Sequence, residues 1–371
     1  MNCRSCHTSL TRLLADLGDQ PLANTLLRDP LETAPTYPLR VYLCDQCLLV
    51  QAVHTVPPAT IFQNYPFRSA ASPPWLTHCA DYVKMITGRF DPQSVLEIGS
   101  NDGTLLGLFN VPAVGVDPAC TAPRTIRQFF TAELAEDLYP ADLVVANNVI
   151  GHVPDLDDFI AGLRLVTRNV LTVEIPWLYH LLHRVEYDCI YHEHFSYWSA
   201  NALITAFARH DLHVFDVEHF PNLHGGTIRY YFGNHPVREP VGEILRFEDD
   251  HGLTNPGSEL YTGFARLIQE RSGDLRHFLT EHTAVGLGAP AKANTLLNTA
   301  KITPTLLPYT TDTTPEKQGM YLPGSRIPIY PPTLRRSADH TLVLAWNWWD
   351  EITTRYAGST KFVHPLTLET I

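Results

Sequence analysis

The sequence predicts an α/β protein made of three parts, and three observations support that fold class. Two Cys-x-x-Cys pairs lie close to the N-terminus. Short apolar runs alternate with helical segments over residues 94–175 and again over 283–360, which is typical of parallel sheets covered on both faces. We therefore expect a small zinc-binding domain at residues 1–68, a Rossmann-like domain with a parallel sheet at 69–205, and a C-terminal α/β domain at 206–371.

Composition limits the classes of protein and of partner. A chain of 371 residues exceeds what one hydrophobic core usually organises, and 44% apolar with 18% charged residues is typical of a soluble globular protein. The formal net charge of −12 argues against a general affinity for nucleic acid or anionic membranes. No apolar run approaches the roughly 20 residues of a membrane-spanning helix, and the start does not resemble a secretory signal. We expect a cytoplasmic protein, monomeric or a small homo-oligomer, with no nucleic-acid or membrane partner.

Four N-terminal cysteines form two pairs with metal-ligand spacing. Thiolates at positions i and i+3 of each pair can converge on one Zn²⁺, and two redox-active dithiols are the alternative. Because four thiolates leave no open coordination position, the predicted zinc is structural. The loop between the pairs is predicted to be extended and rich in turns at residues 17–24. The predicted zinc ligands are Cys3, Cys6, Cys44 and Cys47.

An aromatic linker at residues 62–69 leads to a helix that is predicted to begin near Pro73. Its aromatic content is high for a linker. Tyr65 and Phe67 either pack between domains or line a cleft, and the sequence leaves both interpretations open.

A glycine-rich turn between two short strands is the most informative motif of the middle domain. An apolar strand runs into the turn at residues 99–103, and a second strand ends at Asp117. Glycines let a backbone approach a ligand closely, and a carboxylate at this position can accept hydrogen bonds from two ribose hydroxyls. The turn resembles the first motif of S-adenosylmethionine (SAM) methyltransferases more than the dinucleotide fingerprint G-x-G-x-x-G. The residues expected to bind SAM are Glu97, Gly99, Ser100, Asn101, Gly103 and Asp117.

Three more polar residues follow the predicted strand at residues 143–146. In doubly wound sheets, ligands bind beyond the carboxyl ends of the strands, so Asn147, Asn148 and His152 are expected over the same crevice. Capping of the following helix is the alternative for these residues.

The run Tyr191-His192-Glu193-His194 carries the clearest acid–base chemistry. On an extended backbone His192 and His194 share one face, whereas on a turn the two faces mix. His-x-His is also a metal pattern, but a third ligand at helical spacing is lacking. A histidine oriented by a carboxylate beside a phenol suits proton abstraction, and histidines that are merely satisfied in a turn are the alternative.

The last hundred residues predict a second nucleotide-binding half, which suggests two nucleotide-containing ligands. Lys292 and Lys317 each lie beside a glycine turn, where a cation suits a diphosphate, although surface lysines are usually only solvated. His224 precedes two glycines and a strand, in a tight turn or a cleft wall.

The chain resembles the nucleotide-sugar C-methyltransferases, notably the zinc-containing C3-methyltransferases of dTDP-4-keto-6-deoxysugars. The resemblance covers nearly the whole chain and is carried by blocks in a fixed order. The blocks are Cys-x-x-Cys twice, Leu-Glu-Ile-Gly-Ser-Asn-Asp-Gly, Asn-Asn-Val-x-x-His-Val, Tyr-His-Glu-His-Phe-Ser-Tyr, His-Gly-Gly, Gly-Ala-Pro-Ala-Lys-x-Asn-Thr-Leu-Leu-Asn, Pro-x-Lys-Gln-Gly-x-Tyr-x-Pro-Gly and Leu-Ala-Trp-Asn.

The resemblance implies a SAM domain flanked by a zinc domain and a sugar-nucleotide domain, with chemistry at their junction. It implies His194 as general base, and Tyr191 and Glu193 as support for the sugar or its enolate. Tyr65 is the implied active-site phenol, but the family's Tyr-x-Tyr pair is Tyr65-Pro66-Phe67 here, so the second hydroxyl is missing. The substrate-binding residues expected are His224, Lys292, Asn294 and Lys317.

Two other functions are weighed against this one. An NAD-dependent sugar-nucleotide oxidoreductase would need a dinucleotide fingerprint and a catalytic Tyr-x-x-x-Lys or Cys, and the sequence shows neither. A non-catalytic zinc- and nucleotide-binding scaffold would neither bind SAM tightly nor depend on His194.

Overall fold

The computed structural model describes residues 1–53, 56–62, 73–120, 122–223, 225–333, 338–356, 358 and 360–371. Tyr65, Phe67 and His224, which the sequence analysis singled out, lie outside the described residues. Three sheets organise the described parts, with four, seven and five strands.

The four-stranded sheet belongs to the N-terminal part, with one addition from the middle of the chain. Its strands, in spatial order, are β1 (Arg12–Pro21), β2 (Thr36–Leu43), β3 (Val50–Ala52) and β9 (Ser196–Tyr197). All neighbours are antiparallel. The extended backbone predicted from residue 17 is confirmed up to Pro21, but the predicted richness in turns is wrong there, because β1 buries Leu14 and Leu17 while pairing along β2.

The seven-stranded sheet confirms the α/β prediction for the middle of the chain. Its strands are β4 (Val95–Ile98), β5 (Ala113–Val116), β6 (Thr125–Ile126), β7 (Ala141–Val145), β8 (Thr167–Pro176), β10 (Val214–Phe220) and β11 (Thr227–Gly233). The spatial order is β10-β11-β8-β7-β4-β5-β6, parallel from β8 to β6 and antiparallel at β10 and β11. The sheet therefore extends past residue 205, where the sequence analysis ended the middle domain, and those domain limits stay a prediction.

Helices cover this sheet and connect it to its neighbours. They are α1 (Pro58–Phe62), α2 (Pro73–Phe90), α3 (Ala132–Glu136), α4 (Leu156–Val166), α5 (Leu178–His183), α6 (Ala200–Ala208) and α7 (Glu239–Asp250). Between β4 and β5 the chain forms only a short 3-10 turn, Leu106–Leu108. The Asp102 carboxylate accepts hydrogen bonds from the backbone and hydroxyl of Thr104, and this local turn competes with a longer helix.

The C-terminal part holds a five-stranded parallel sheet in the order β14-β13-β12-β15-β16. Its elements are α8 (Glu259–Thr262), α9 (Phe264–Glu281), β12 (Ala284–Leu287), α10 (Ala291–Thr299), β13 (Thr310–Thr311), β14 (Ile329–Tyr330), β15 (His340–Val343), α11 (Trp349–Arg355) and β16 (Lys361–Val363). The second α/β half predicted from the sequence is therefore confirmed.

The N-terminal part packs against both larger parts. Leu49, beside the cysteines, belongs to the core that underlies the seven-stranded sheet. Leu39 on β2 instead shares a core with Phe264 on α9 and Leu297 on α10. Within the described ranges, no helix is both long and apolar enough to cross a membrane.

Candidate active site

The four predicted zinc ligands converge at one point. Their sulfur atoms all lie within 4.8 Å of one another, with Cys3 and Cys47 3.5 Å apart and Cys6 and Cys44 3.4 Å apart. Thiolates around a tetrahedral Zn²⁺ are separated by about 3.8 Å, so the set fits this metal. The Gln51 amide donates a hydrogen bond to the Cys3 sulfur at 3.1 Å, which suits a thiolate ligand. With four sulfur ligands the site is structural.

The turn after β4 brings the backbone into a conformation that requires glycine. Gly99 has φ +74°, and its N–H donates to the Val116 carbonyl at 2.7 Å. A Cβ at Gly99 would lie 2.3 Å from Cγ2 of Val149. A residue with a side chain at position 99 would be strained at this φ and would clash with Val149. The backbone of the turn is therefore left uncovered at the carboxyl end of the sheet, where a ligand can approach it.

Asp117 fixes this turn from the neighbouring strand. Its Oδ2 accepts the Asn101 N–H at 2.9 Å, and its Oδ1 accepts the N–H groups of Ala119 and Cys120 at 2.8 Å. Each carboxylate oxygen can accept about two hydrogen bonds, so Oδ2 of Asp117 can still receive a ribose hydroxyl. Glu97 is buried beneath, its pKa is raised by burial, and its Oε2 has no hydrogen-bond partner among the described residues. The turn at residues 99–103, called the SAM cradle below, and the unpartnered Oε2 of Glu97 fit a bound nucleoside.

Ser100, Asn147 and Asn148 complete the edge of the cradle. The Ser100 hydroxyl lies 3.4 Å from that of Thr125, and Oδ1 of Asn147 accepts the Glu174 N–H at 3.1 Å. Asn148 has φ +56°, and its Nδ2 has no partner within the described part of the chain. Asn147 thus has a structural bond that the sequence could not reveal, whereas Asn148 keeps a donor for a ligand.

Residues 191–194 form a turn rather than a strand, because the His194 N–H donates to the Tyr191 carbonyl at 2.9 Å. The turn brings the rings of Tyr191 and His194 together, with centroids 4.0 Å apart. The His152 ring lies 5.0 Å from that of His194. His152, predicted among the SAM-binding residues, therefore lies directly against the acid–base turn.

The His194 ring has a defined tautomer. Its Nδ1 lies 2.7 Å from the Cys189 carbonyl, which can only accept, so Nδ1 carries the proton and Nε2 the lone pair. Burial, together with nearby His152, lowers the pKa of His194 to about 3. The imidazole is therefore neutral near pH 7, which is the form that accepts a proton.

Glu193 is held from two sides of the molecule. Its Oε1 accepts a hydrogen bond from the Asn24 amide at 2.6 Å, and its carbonyl accepts one from Nδ1 of His152 at 2.7 Å. Burial raises the pKa of Glu193 to about 7, and the Asn24 hydrogen bond opposes that rise. His192 lies apart from this chemistry, since its Nε2 donates to the Tyr37 carbonyl at 3.1 Å.

The C-terminal part contributes a buried charge cluster near the same turn. Nζ of Lys292 lies 3.3 Å from the Trp346 ring centroid, and the Trp346 indole donates to Oδ2 of Asp188 at 2.6 Å. Burial lowers the pKa of Lys292, while the carboxylates of Asp188 and Glu186 oppose that shift. Lys292 is thus buried against the Trp346 ring near two carboxyl groups, rather than solvated.

The other two predicted substrate-binding residues that the structure describes have protein partners. Nδ2 of Asn294 donates to the Ala23 carbonyl at 2.6 Å, and its Oδ1 has no partner within the described ranges. Nζ of Lys317 donates to the Ala289 carbonyl at 2.8 Å and lies 3.9 Å from Oδ2 of Asp312. Asn294 therefore contacts the loop that carries Asn24. Lys317 binds a backbone carbonyl and lies near a carboxylate.

Asn24 is the residue that the sequence analysis missed. It follows a Pro-Leu-Ala stretch between the cysteine pairs, and no local pattern relates it to Glu193, which is 169 positions away. Only the folded arrangement reveals that contact.

Family models match three consecutive parts of the chain. Residues 3–62 match a zinc binding domain, residues 76–217 a methyltransferase domain and residues 222–366 a C-methyltransferase C-terminal domain. C-methyltransferase NovU from Streptomyces niveus is 33% identical over 94% of this chain and 90% of its own length. The chain belongs to the C-methyltransferase family. This C-methyltransferase uses SAM and binds zinc, in agreement with the glycine turn after β4 and the cysteine cluster.

Solved methyltransferase structures are also similar to part of this C-methyltransferase. A magnesium protoporphyrin IX methyltransferase from Synechocystis PCC 6803 with bound SAH covers 43% of this chain and 83% of its own, with a TM-score of 0.35 and 12% identity. A SAM dependent methyltransferase from Archaeoglobus fulgidus covers 43% of this chain and 94% of its own, with a TM-score of 0.37 and 13% identity. Similarity at this level says nothing of the substrate.

Proposed function

We propose that this C-methyltransferase methylates C3 of a nucleotide-linked 4-keto-6-deoxysugar, carried by dTDP, in the biosynthesis of a branched deoxysugar. The observation that carries the proposal is the neutral His194, whose tautomer is fixed by the Cys189 carbonyl and whose ring packs on Tyr191. The sequence resemblance supports the sugar, its C3 position and the dTDP carrier.

The ketone at C4 makes the C3 hydrogen acidic enough for an imidazole to remove. In this proposal His194 takes that proton at Nε2 while its Nδ1–H stays bonded to the Cys189 carbonyl. The enolate formed beside the ring offsets the cost of a buried imidazolium, because opposite charges attract strongly in a poorly solvated site. SAM, when bound, supplies the electrophilic methyl group that the C3 carbon attacks.

Two neighbours of His194 suit the oxygen of the enolate. The Tyr191 phenol can donate a hydrogen bond, and Glu193, with its pKa raised to about 7 by burial, can donate in its protonated form. Tyr65 is the proposed third donor, from the resemblance alone. Preorganised donors of this kind stabilise the negative charge without reorganising during the reaction.

The ligand-binding residues proposed for the two nucleotides follow from the same reasoning. Glu97, Gly99, Ser100, Asn101, Gly103, Asp117, Asn147, Asn148 and His152 are proposed to surround SAM. His224, Lys292, Asn294 and Lys317 are proposed to bind the sugar nucleotide. Lys292 is the best supported of these by its position, because the cluster around it adjoins the 187–189 turn that carries Cys189.

Hydrogen exchange at C3 tests the proposal before any methyl transfer. Purified enzyme is incubated with a dTDP-4-keto-6-deoxysugar in deuterated water without SAM, and deuterium at C3 is measured by NMR. We expect exchange in the wild type and its loss in His194→Ala. His192→Asn is the matched control, because His192 lies in the same turn but bonds to Tyr37. Exchange that persists in His194→Ala would remove His194 as the base, and a wild type without exchange would refute the proposed substrate.

A further inference from the structure

Residues 22–27, the first part of the loop between β1 and β2, are held by the C-terminal part of the molecule. The Ala23 carbonyl accepts the Asn294 amide at 2.6 Å. Leu27 exchanges two backbone hydrogen bonds with Tyr321, at 2.9 and 2.8 Å. The position of this loop therefore depends on contacts from α10 and from the segment before β14.

Asn24 projects from the same loop to the acid–base turn. Its Nδ2 lies 2.6 Å from Oε1 of Glu193, a residue that is only 4% exposed. A donor aimed at one carboxyl oxygen fixes the orientation of the whole group, and it favours the ionised form that burial disfavours. Since His152 holds the carbonyl of the same residue, Glu193 is restrained through both its side chain and its backbone.

We propose that Asn24 is a positioning residue of the active site, which orients the Glu193 carboxyl group beside His194. This inference rests on the proposed function, in which Glu193 supports the enolate. Asn24 acts through Glu193 and does not itself touch the reacting atoms. Because Asn294 binds the neighbouring Ala23, the orientation of Glu193 is complete only when the C-terminal part is seated against the loop.

The charged and titratable groups around Glu193 leave Asn24 as the decisive neighbour. His152 packs against the turn from the Ile150–His152 segment, and Tyr191, His192 and His194 share the turn itself. The pKa values of His152 and His194 are lowered by burial, so both are neutral where Glu193 titrates. Among the described residues, burial and the Asn24 amide are what shift the pKa of Glu193.

The first test measures the contact without substrate. The Glu193 carboxyl is followed by ¹³C NMR against pH, with assignment from Glu193→Gln. We expect Asn24→Ala to move the titration midpoint upwards by about one pH unit or more, because a hydrogen bond to a charged group is lost. Asn24→Asp keeps the shape but removes the donor, and it is expected to shift the midpoint at least as far. Thr25→Ala, an exposed neighbour in the same loop, is the control and should leave the midpoint in place. An unchanged midpoint in both Asn24 variants would overturn the inference.

The second test separates positioning from folding. We expect Asn24→Ala to lower kcat for methyl transfer at least tenfold, to change KM less than threefold and to leave SAM affinity intact. In a Glu193→Ala background, Asn24→Ala should have no further effect on kcat. An equal loss in both backgrounds would show that Asn24 acts by another route and overturn the inference. A wild type that lacks C3 exchange refutes the proposed function instead, and the NMR midpoint still decides the Asn24 contact.

Discussion

Replacing Glu186 with Gln is expected to remove a pH-dependent loss of stability from the folded protein. Glu186 is buried in the cluster around Lys292, and burial, with a further contribution from Asp188, raises its pKa to about 7 from an ordinary 4.5. A carboxyl group that holds its proton more tightly in the folded state stabilises the fold fully below its unfolded pKa. That stabilisation is lost as the pH rises through 7.

The size of the effect follows from the shift. Between about pH 5.5 and about pH 8.5, the linkage relation gives a loss of about 2 kcal/mol for a pKa raised from 4.5 to about 7. With an unfolding entropy of about 2 cal/mol/K per residue over 371 residues, this loss lowers the melting temperature by about 3 °C. Glu186→Gln does not titrate and should lack this component.

The assay is the melting temperature of wild type and Glu186→Gln across this pH range, with zinc held constant. The expected result is a difference between the two proteins that moves by about 3 °C in favour of the variant as the pH rises. Glu281→Gln, which removes an exposed carboxylate, is the control and should follow the wild type. A difference for Glu186→Gln that stays flat with pH would refute the reasoning.

Three further predictions address the zinc, the SAM cradle and the buried lysine. Removing zinc by chelation, or by Cys44→Ser, is expected to abolish C3 exchange while calorimetry still detects SAM binding. The reason is that β9 follows the turn at residues 191–194 and pairs with β3 of the zinc-binding part. Loss of C3 exchange and SAM binding together would contradict this prediction. Gly99→Ala should weaken SAM binding at least tenfold by calorimetry. Gly107→Ala, where a Cβ meets nothing within 4 Å, is the control and should not weaken it. Equal SAM affinities of the two variants would contradict the proposed role of the turn at Gly99. Lys292→Met should lower the melting temperature by several degrees, because it removes a buried positive charge close to the carboxyl groups of Asp188 and Glu186. An unchanged melting temperature would argue that this charge is dispensable.

Local patterns in the sequence predict the sheets and the cysteine cluster well. These features depend on a few adjacent residues, so they can be recognised without knowing the tertiary structure. They are the Cys-x-x-Cys spacing, the period-two or continuous apolar runs and the glycine turn at Gly99. The strands before and after the glycine turn follow from the same signals, and the structure confirms them.

Contacts between distant parts of the chain could not be predicted in this way. Asn24 meets Glu193 across 169 positions. Lys292, at the start of α10, meets Trp346 because β12 and β15, the strands that precede these two residues, lie side by side in the sheet. The polarity of Lys292 suggested a diphosphate contact, but its burial depends on packing that no local pattern encodes. The seven-stranded sheet likewise takes β10 and β11 from beyond the predicted limit, because antiparallel pairing with β8 depends on tertiary structure.

The pairing of β9 with β3 has a consequence for how the chain folds during synthesis. The first sixty residues leave the ribosome long before Ser196 and Tyr197. The edge of β3 that later pairs with β9 therefore has no partner strand while the middle of the chain is synthesised. An open edge of this kind invites pairing with another molecule. We therefore expect the isolated N-terminal part to aggregate unless residues 196–197 accompany it. Exchanging the N-terminal part between related enzymes would also require exchanging β9, the strand that completes its sheet.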